Sequence, residues 1–551
     1  MIPRPRPLRS ALALAGAGAL ALGAAGCTGG AASDEPDPRA PVQPRYGGEL
    51  HIMMEAPGTL DPSFVDDVYE ACMVNQLYDG LLEYDVNLNP VPAIAREWSV
   101  SRDGTEYVFS LRDDVRFHNG RPVVAGDFVY SFSRIFAPGR EDHGLGGEYL
   151  KKIRGVTEFS EGRADEVAGL VAQDDHTLVI RLESPYASFL SALAMDQTKV
   201  VAREEIERWG DEYSRHPCGT GPFVLETLAT GDADRPRLEL RANGDHFRGR
   251  PYLDALVFHT PGDYNLDRGA EALLAGEVTL CDMPGRLKDR IEGDGRFRIV
   301  RRPELSFSFV GLNVGARGFR DERVRRAVAH AVDRDRIMEL DPVGRIPAGG
   351  ILPPGMFGYS PDPKAVPFDP EAARRLLAEA GHPGGRGLPA LELWQADRGE
   401  VGRQADVLLQ EDLARVGIRI EYRYVEWDEF DRRLTAQDLP AFGLTWVGDV
   451  PDPDSFLASL FSTRGVYNLF GYSNATVDSL LQAGSEMRSS AARADLYRRA
   501  ERIILQDAPV IPLFHLANNF AVRAEVQGLS VTPFGLGNVA LERVWIGAPA
   551  S

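Results

Sequence analysis

Asp449, Asp452 and Asp454 crowd into the stretch Trp446-Val447-Gly448-Asp449-Val450-Pro451-Asp452-Pro453-Asp454. Carboxylates at such spacing could offer oxygen ligands to calcium or meet a cationic group. The intervening prolines and the lack of a bidentate glutamate argue against an EF-hand loop. Other chemistry is thin. The chain has no nucleophile elbow, no His-Glu-x-x-His and no phosphate loop ending Gly-Lys-Ser/Thr. Gly535-Leu536-Gly537-Asn538-Val539-Ala540 spells a dinucleotide fingerprint, but the chain ends before a βαβ unit could follow it. The ten histidines are scattered without pairs at ligand spacing, and the four cysteines (Cys27, Cys72, Cys218, Cys281) form no C-x-x-C. With 81 acidic residues, chance carboxylate neighbours are guaranteed. The expectation is a protein without metal or cofactor, and not an enzyme.

The first 26 residues read as a secretory signal. Arg4, Arg6 and Arg9 form a positive start, and Ala11 to Ala25 carries no charge. That run is too short to span a bilayer as a helix. It ends in Ala24-Ala25-Gly26-Cys27, small residues directly before a cysteine. This is similar to a bacterial lipobox, with Ala24 where that pattern prefers leucine. Cys27 is the expected lipid attachment site, which would hold the mature chain on the extracytoplasmic face of the cell membrane. No Arg-Arg pair signals twin-arginine export. Residues 27–46 follow, rich in Gly, Ala, Asp and Pro, and read as a flexible tether. If Cys27 is lipidated, three cysteines remain, and an oxidising exterior favours one disulfide among them. Cys218 with Cys281 is the preferred pair, although spacing does not decide it; three buried thiols acting as small hydrophobes are the alternative.

The elements behind these residues alternate between strand and helix. Tyr107, Phe109 and Leu111 recur with period two, as do Leu178, Ile180 and Leu182, while Val124, Phe128, Phe132 and Ile135 recur at helical spacing. Val324, Ala327, Val328, Ala331 and Val332 mark another helical stripe. Asp369-Pro370 is an N-cap followed by proline at the first helical position, and that helix should stop before Gly381. Ala405, Leu408, Leu409, Leu413 and Val416 mark a helix that stops at Gly417 and feeds an alternating strand from Ile418 to Tyr424. Such order is the grammar of α/β layers. At 551 residues the chain exceeds what one core holds, about 250–300 residues, so two or three lobes are expected. The formal charge of -20 and the absence of a Lys/Arg block exclude a phosphate-backbone footprint, hence no nucleic acid. A mean hydropathy of -0.23 excludes a membrane-embedded bulk.

Six or more segments, in order, resemble the peptide/nickel class of ABC-importer solute-binding proteins (family 5). They include Gly47-Gly48-Glu49-Leu50 leading to Leu60-Asp61-Pro62, then Tyr78-Asp79-Gly80-Leu81 and Pro92 through Trp98. Next come Ser101 through Arg112 continuing to Val115-Arg116-Phe117-His118-Asn119-Gly120, and Gly219-Thr220-Gly221-Pro222-Phe223. Phe319 through Arg334 and Gly350-Ile351-Leu352-Pro353-Pro354-Gly355 complete the set. The resemblance implies an α/β, two-lobed fold of the periplasmic-binding-protein kind, with a hinge and an extra subdomain inserted in lobe I. Lobe I maps to about 47–306 plus 518–551, with the insert at about 82–212, and lobe II to about 307–517. It implies a monomeric receptor that passes a short peptide to the permease and ATPase subunits of an importer. A nickel chelate, haem or sugar is the alternative on the same fold, and an extracellular hydrolase a more distant one. In peptide-binding members a Trp-x-x-Asp segment lines the cleft and its Asp meets the ligand's α-ammonium. By position that role falls to Asp449, with Trp446 as an apolar wall; the competing reading has Asp449 merely cap the proline turn. Arg398 is the nearest positional match to a cation for the peptide carboxylate. Gly443 stands where some oligopeptide binders carry a basic residue, which leaves peptide length open.

Overall fold

The computed structural model describes residues 43–547, apart from 141–142, 230–235, 285–286, 362–365, 397–398, 466 and 488, and apart from the side chains of 399–402. Cys27 and Arg398 therefore lie outside the described residues.

The expected helices form for the expected reasons. Asp369 accepts from the Ala372 amide at 2.8 Å, capping the helix Pro370–Glu379, and Gly381 follows at φ 87°. The helix Ala125–Ile135 buries Phe128, Phe132 and Ile135 completely. The helix Glu322–Ala331 buries its predicted stripe, and also Arg325, whose guanidinium donates to the carbonyls of Phe319 and Asp507. The strand Leu391–Ala396, the helix Gly399–Arg415 and the strand Ile420–Val425 make a parallel β-α-β unit. Gly417, at φ 91°, ends that helix beside Gly384 and Gly385; a Cβ there would strike the Gly384 carbonyl.

These elements surround a mixed sheet of twelve strands among the described residues. The sheet is organised by one long strand, Val510–Arg523. Its first part pairs antiparallel with Ser306–Leu312, through Ser308↔Phe514 to Gly311↔Val510. Its second part pairs with Phe297–Pro303, from Pro303↔Ala517 to Phe297↔Arg523, and with Leu280–Asp282. The long strand thus changes partners between residues 514 and 517, where the adjacent chain passes from Pro303 to Ser306. Each half has its own apolar core. Leu50, Ile52, Phe223, Phe258 and Phe520 pack on one side of the change, and Val310, Leu312, Val324, Leu413 and Ile511 on the other. The two alternating runs predicted near Tyr107 and Leu178 lie in a separate four-stranded sheet, ordered Ala95–Val100, Glu106–Leu111, Thr177–Arg181, Leu170–Asp174.

Three of the quoted sequence segments turn out to be one joint. Thr220 Oγ1 donates to Asp79 Oδ2 at 2.9 Å and accepts from the Asp79 amide at 3.0 Å. The His118 amide donates to the Gly219 carbonyl at 2.7 Å. A Cβ at Gly219 or Gly221 would collide with the backbone of Leu77, so both positions require glycine. This joint is scaffold.

The preferred disulfide is corrected. Cys72, Cys218 and Cys281 are all free and buried. They sit in three different apolar clusters, Cys72 with Leu50 and Phe258, Cys218 with Phe117 and Phe128, Cys281 with Leu273 and Ile291. Burial raises each thiol, Cys218 to about 11 and Cys281 to about 12, so none is an active nucleophile.

Candidate functional site

The strand Ala441–Val447 delivers the Asp-rich turn to the middle of the molecule. It pairs with Ser306–Leu312 from Leu312↔Ala441 to Ser306↔Val447, and the Gly448 amide extends the ladder by donating to the Leu305 carbonyl at 2.8 Å. A Cβ at Gly448 would strike the Phe456 ring, so the turn hugs the following helix, Asp454–Phe461.

Behind the turn lies a polar lattice. Arg493 clasps Asp452 with two hydrogen bonds of 2.8 Å and donates to the Gly484 carbonyl and to Tyr497. Tyr497 donates in turn to Asp454 Oδ1 at 2.6 Å. Asp452 also accepts from the Asp454 amide at 3.0 Å. The residue that caps the proline turn is therefore Asp452, and the capping alternative for Asp449 has no hydrogen bond to support it.

Asp449 points away from this lattice. Its Oδ2 accepts a hydrogen bond from Tyr149 Oη at 3.1 Å, a contact 300 positions back in the chain. No described Lys, Arg or His pairs with it. Burial pushes its carboxyl up to about 6, against the Tyr149 hydrogen bond, with the Glu148 charge adding to the rise. Asp449 lies where two cavities meet. One, of about 430 Å³, is lined by Val65, Val68, Tyr84, Leu145, Val447 and Phe534 among its apolar members, and by Glu304 and Asn518 from the chain crossings. The other, of about 770 Å³, runs past Tyr149, Lys152 and Tyr186 to Asp454 and Tyr467. The first is walled by segments packed on either half of the sheet, and the second lies between residues 148–186 and the turn and helices of 449–485, so Asp449 stands in a cleft between parts of the chain far apart in sequence.

Trp446 braces the turn. Its indole Nε1 donates to the Ser455 carbonyl at 2.8 Å and its ring packs on Tyr467 at 4.9 Å, whereas Val447, 48% exposed, supplies the wall. Strand alternation turns neighbouring side chains to opposite faces, which is why one position decides the role. A Cβ at Gly443 would come 2.9 Å from the side-chain amide of the buried Gln395, which would have to shift to admit any side chain there. Two participants had no local signal in the sequence. Tyr149 and Glu304 reach the cleft only through tertiary pairing.

A two-half α/β body, with a half-apolar cleft at the partner change of a shared strand, defines a protein that encloses a small solute. Residues 89–468 match the model of the bacterial extracellular solute-binding proteins, family 5. The chain is 32% identical over 494 residues, 85% of its own length and 90% of the other's, to a Pseudomonas aeruginosa protein named "Probable di/tripeptide-binding protein 5". It is 30% identical, over 84% of its length and 85% of the other's, to heme-binding protein A of Haemophilus influenzae. The structure of DppA from Helicobacter pylori in complex with the peptide STSA superposes with a TM-score of 0.75 at 25% identity, covering 92% of this chain and 99% of that one. The chain belongs to the family 5 extracellular solute-binding proteins, a family of ABC-importer receptors and not of enzymes. Its fold is their two-lobed one, and no described helix is long and apolar enough to cross a membrane.

Proposed function

We propose that this protein captures short peptides in the cleft by their free N-terminus and hands them to the permease and ATPase of an importer. The observation that carries the reading is Asp449, a half-buried carboxylate facing the cleft that no described Lys, Arg or His pairs with. A buried charge without a partner is costly, and an incoming ammonium would relieve that cost. The di/tripeptide-binding relative and the peptide-filled DppA support the ligand class; the heme-binding relative marks the alternative. Lobe I would comprise about 47–306 plus 518–551 and lobe II about 307–517, in keeping with the partner change between residues 514 and 517. Calorimetry with a set of free and N-acetylated dipeptides and tripeptides tests the reading. Free peptides should bind and their acetylated forms should not; equal binding of both would return the solute to the non-peptide class.

The raised carboxyl of Asp449 makes a pH prediction. Only the ionised form pairs with an ammonium, and the free protein holds the proton up to about pH 6. Peptide binding lowers that pKa and so releases a proton. Affinity should climb by up to about tenfold per pH unit between pH 5 and 6 and flatten above 7. Calorimetry at pH 6 in two buffers of different ionisation enthalpy reads the released proton directly; no release there would remove Asp449 from the contact.

Anchoring through Cys27 completes the proposal. A Cys27→Ser chain should be recovered in the medium or the soluble periplasmic fraction, where the parent sediments with membranes. Retention on membranes after a high-salt wash would count against a lipid anchor.

A further inference from the structure

The 430 Å³ cavity is lined by five carboxylates, Asp66, Asp67, Asp196, Glu304 and Asp449, and among the described residues by no Lys, Arg or His. Asp67 caps the helix Val68–Leu77, and Asp196 accepts from Asn75. Glu304 is different. It stands in the crossing between the strands Phe297–Pro303 and Ser306–Leu312, and its carboxylate receives no hydrogen bond and no ion pair from any described residue. The Gly448–Leu305 hydrogen bond continues the register Ser306↔Val447, so Glu304 and Asp449 are opposed positions at the end of one ladder. Burial raises both carboxyls, Glu304 to about 7 with the Asp282 charge adding and Asp449 to about 6 with the Glu148 charge adding. One concave space thus holds two carboxylates that no described cation meets, with Val447 and Phe534 among its apolar lining.

Resting on the peptide reading, we infer that the cleft selects peptides with a second positive charge, the α-ammonium at Asp449 and a lysine or arginine side chain at Glu304. The same ring of acids works against peptides with acidic side chains, whose carboxylates would be enclosed among like charges. Glu304 is then a specificity-determining residue placed at the crossing between lobes.

The test uses calorimetry at pH 8, where these carboxylates are ionised, with Ala-Lys-Ala, Ala-Gln-Ala and Ala-Glu-Ala, and with Lys moved to the first and third positions. Salt at about 0.5 M shortens the reach of the protein's net negative field to a few ångströms. At the best position Lys should bind at least about tenfold tighter than Gln, as for a charge-assisted hydrogen bond, and Glu weaker than Gln. Glu304→Gln should bring the Lys/Gln ratio close to one, the ratio being read within the variant itself. Glu304 is half-buried and its carboxylate holds no described partner, so the amide breaks no contact; thermal unfolding of the variant checks that it folds. Equal binding of Lys and Gln peptides at all three positions, or a preference that survives Glu304→Gln, overturns the inference while leaving the peptide reading intact. Binding of none of the tripeptides overturns both.

Discussion

Asp449→Ala should weaken peptide binding by two to three orders of magnitude. The loss has a physical source. The ligand's ammonium gives up water as the cleft closes on it, and without Asp449 nothing described in the cavity replaces that water at the same point. Removing one partner of a buried ion pair costs about 3–5 kcal/mol, mostly because the other charge is stranded. At about 1.4 kcal/mol per tenfold this gives the stated range. The variant also leaves Tyr149 without its acceptor, a smaller loss near 1 kcal/mol that falls on free and bound protein alike. N-acetylation of the peptide should do comparable damage to the parent protein, and the two changes should not add, since both remove one contact. Additive losses across the four combinations would place the ammonium elsewhere.

Asp452→Ala should be the most destabilising single change near the site. Arg493 is 4% exposed and Asp452 3% exposed, and their two hydrogen bonds hold the turn that presents Asp449. Truncating Asp452 leaves a guanidinium inside the protein with Asp454 at 3.6 Å as its nearest remaining anion. A loss of about 3 kcal/mol is expected, at the low end for a broken buried pair because Asp454 compensates in part. Replacing both partners, Asp452→Leu with Arg493→Leu, should cost less than the single change, because no charge is then stranded. Thermal unfolding followed by calorimetry on the three variants reads this order. A single variant as stable as the parent would mean the lattice contributes nothing.

Much of the scaffold was legible because its causes are local. The cap and proline at Asp369-Pro370, the stripe ending in Ile135 and the stop at Gly417 are written within a turn of the residues they govern. Resemblance brought Asp449 forward, since nothing in its neighbourhood distinguishes it from Asp452, which proved to be the turn's cap. The remaining site was not legible. Tyr149 meets Asp449 across 300 positions, and Glu304 faces the cavity only because the chain passes between half-sheets at that residue. The indole contacts of Trp446, with the Ser455 carbonyl and the Tyr467 ring, were not legible either, because they depend on how the following helix folds back. Cysteine pairing failed for the same reason, since the three thiols belong to cores that sequence order does not reveal.

The long strand Val510–Arg523 also bears on how the protein is made. It is the axis to which Leu280–Asp282, Phe297–Pro303, Ser306–Leu312 and Arg345–Pro347 all attach. Synthesis reaches it after more than nine-tenths of the 551 residues have been joined. Until then these four strands lack the neighbour that closes their ladders, and pairings over such sequence separations are slow to form. A nascent chain missing its central strand cannot complete either half of the sheet. It should therefore stay pliable, and become rigid only once its last 42 residues, 510–551, are in place. Truncation before residue 510 should leave a chain that is exported and never becomes protease-resistant.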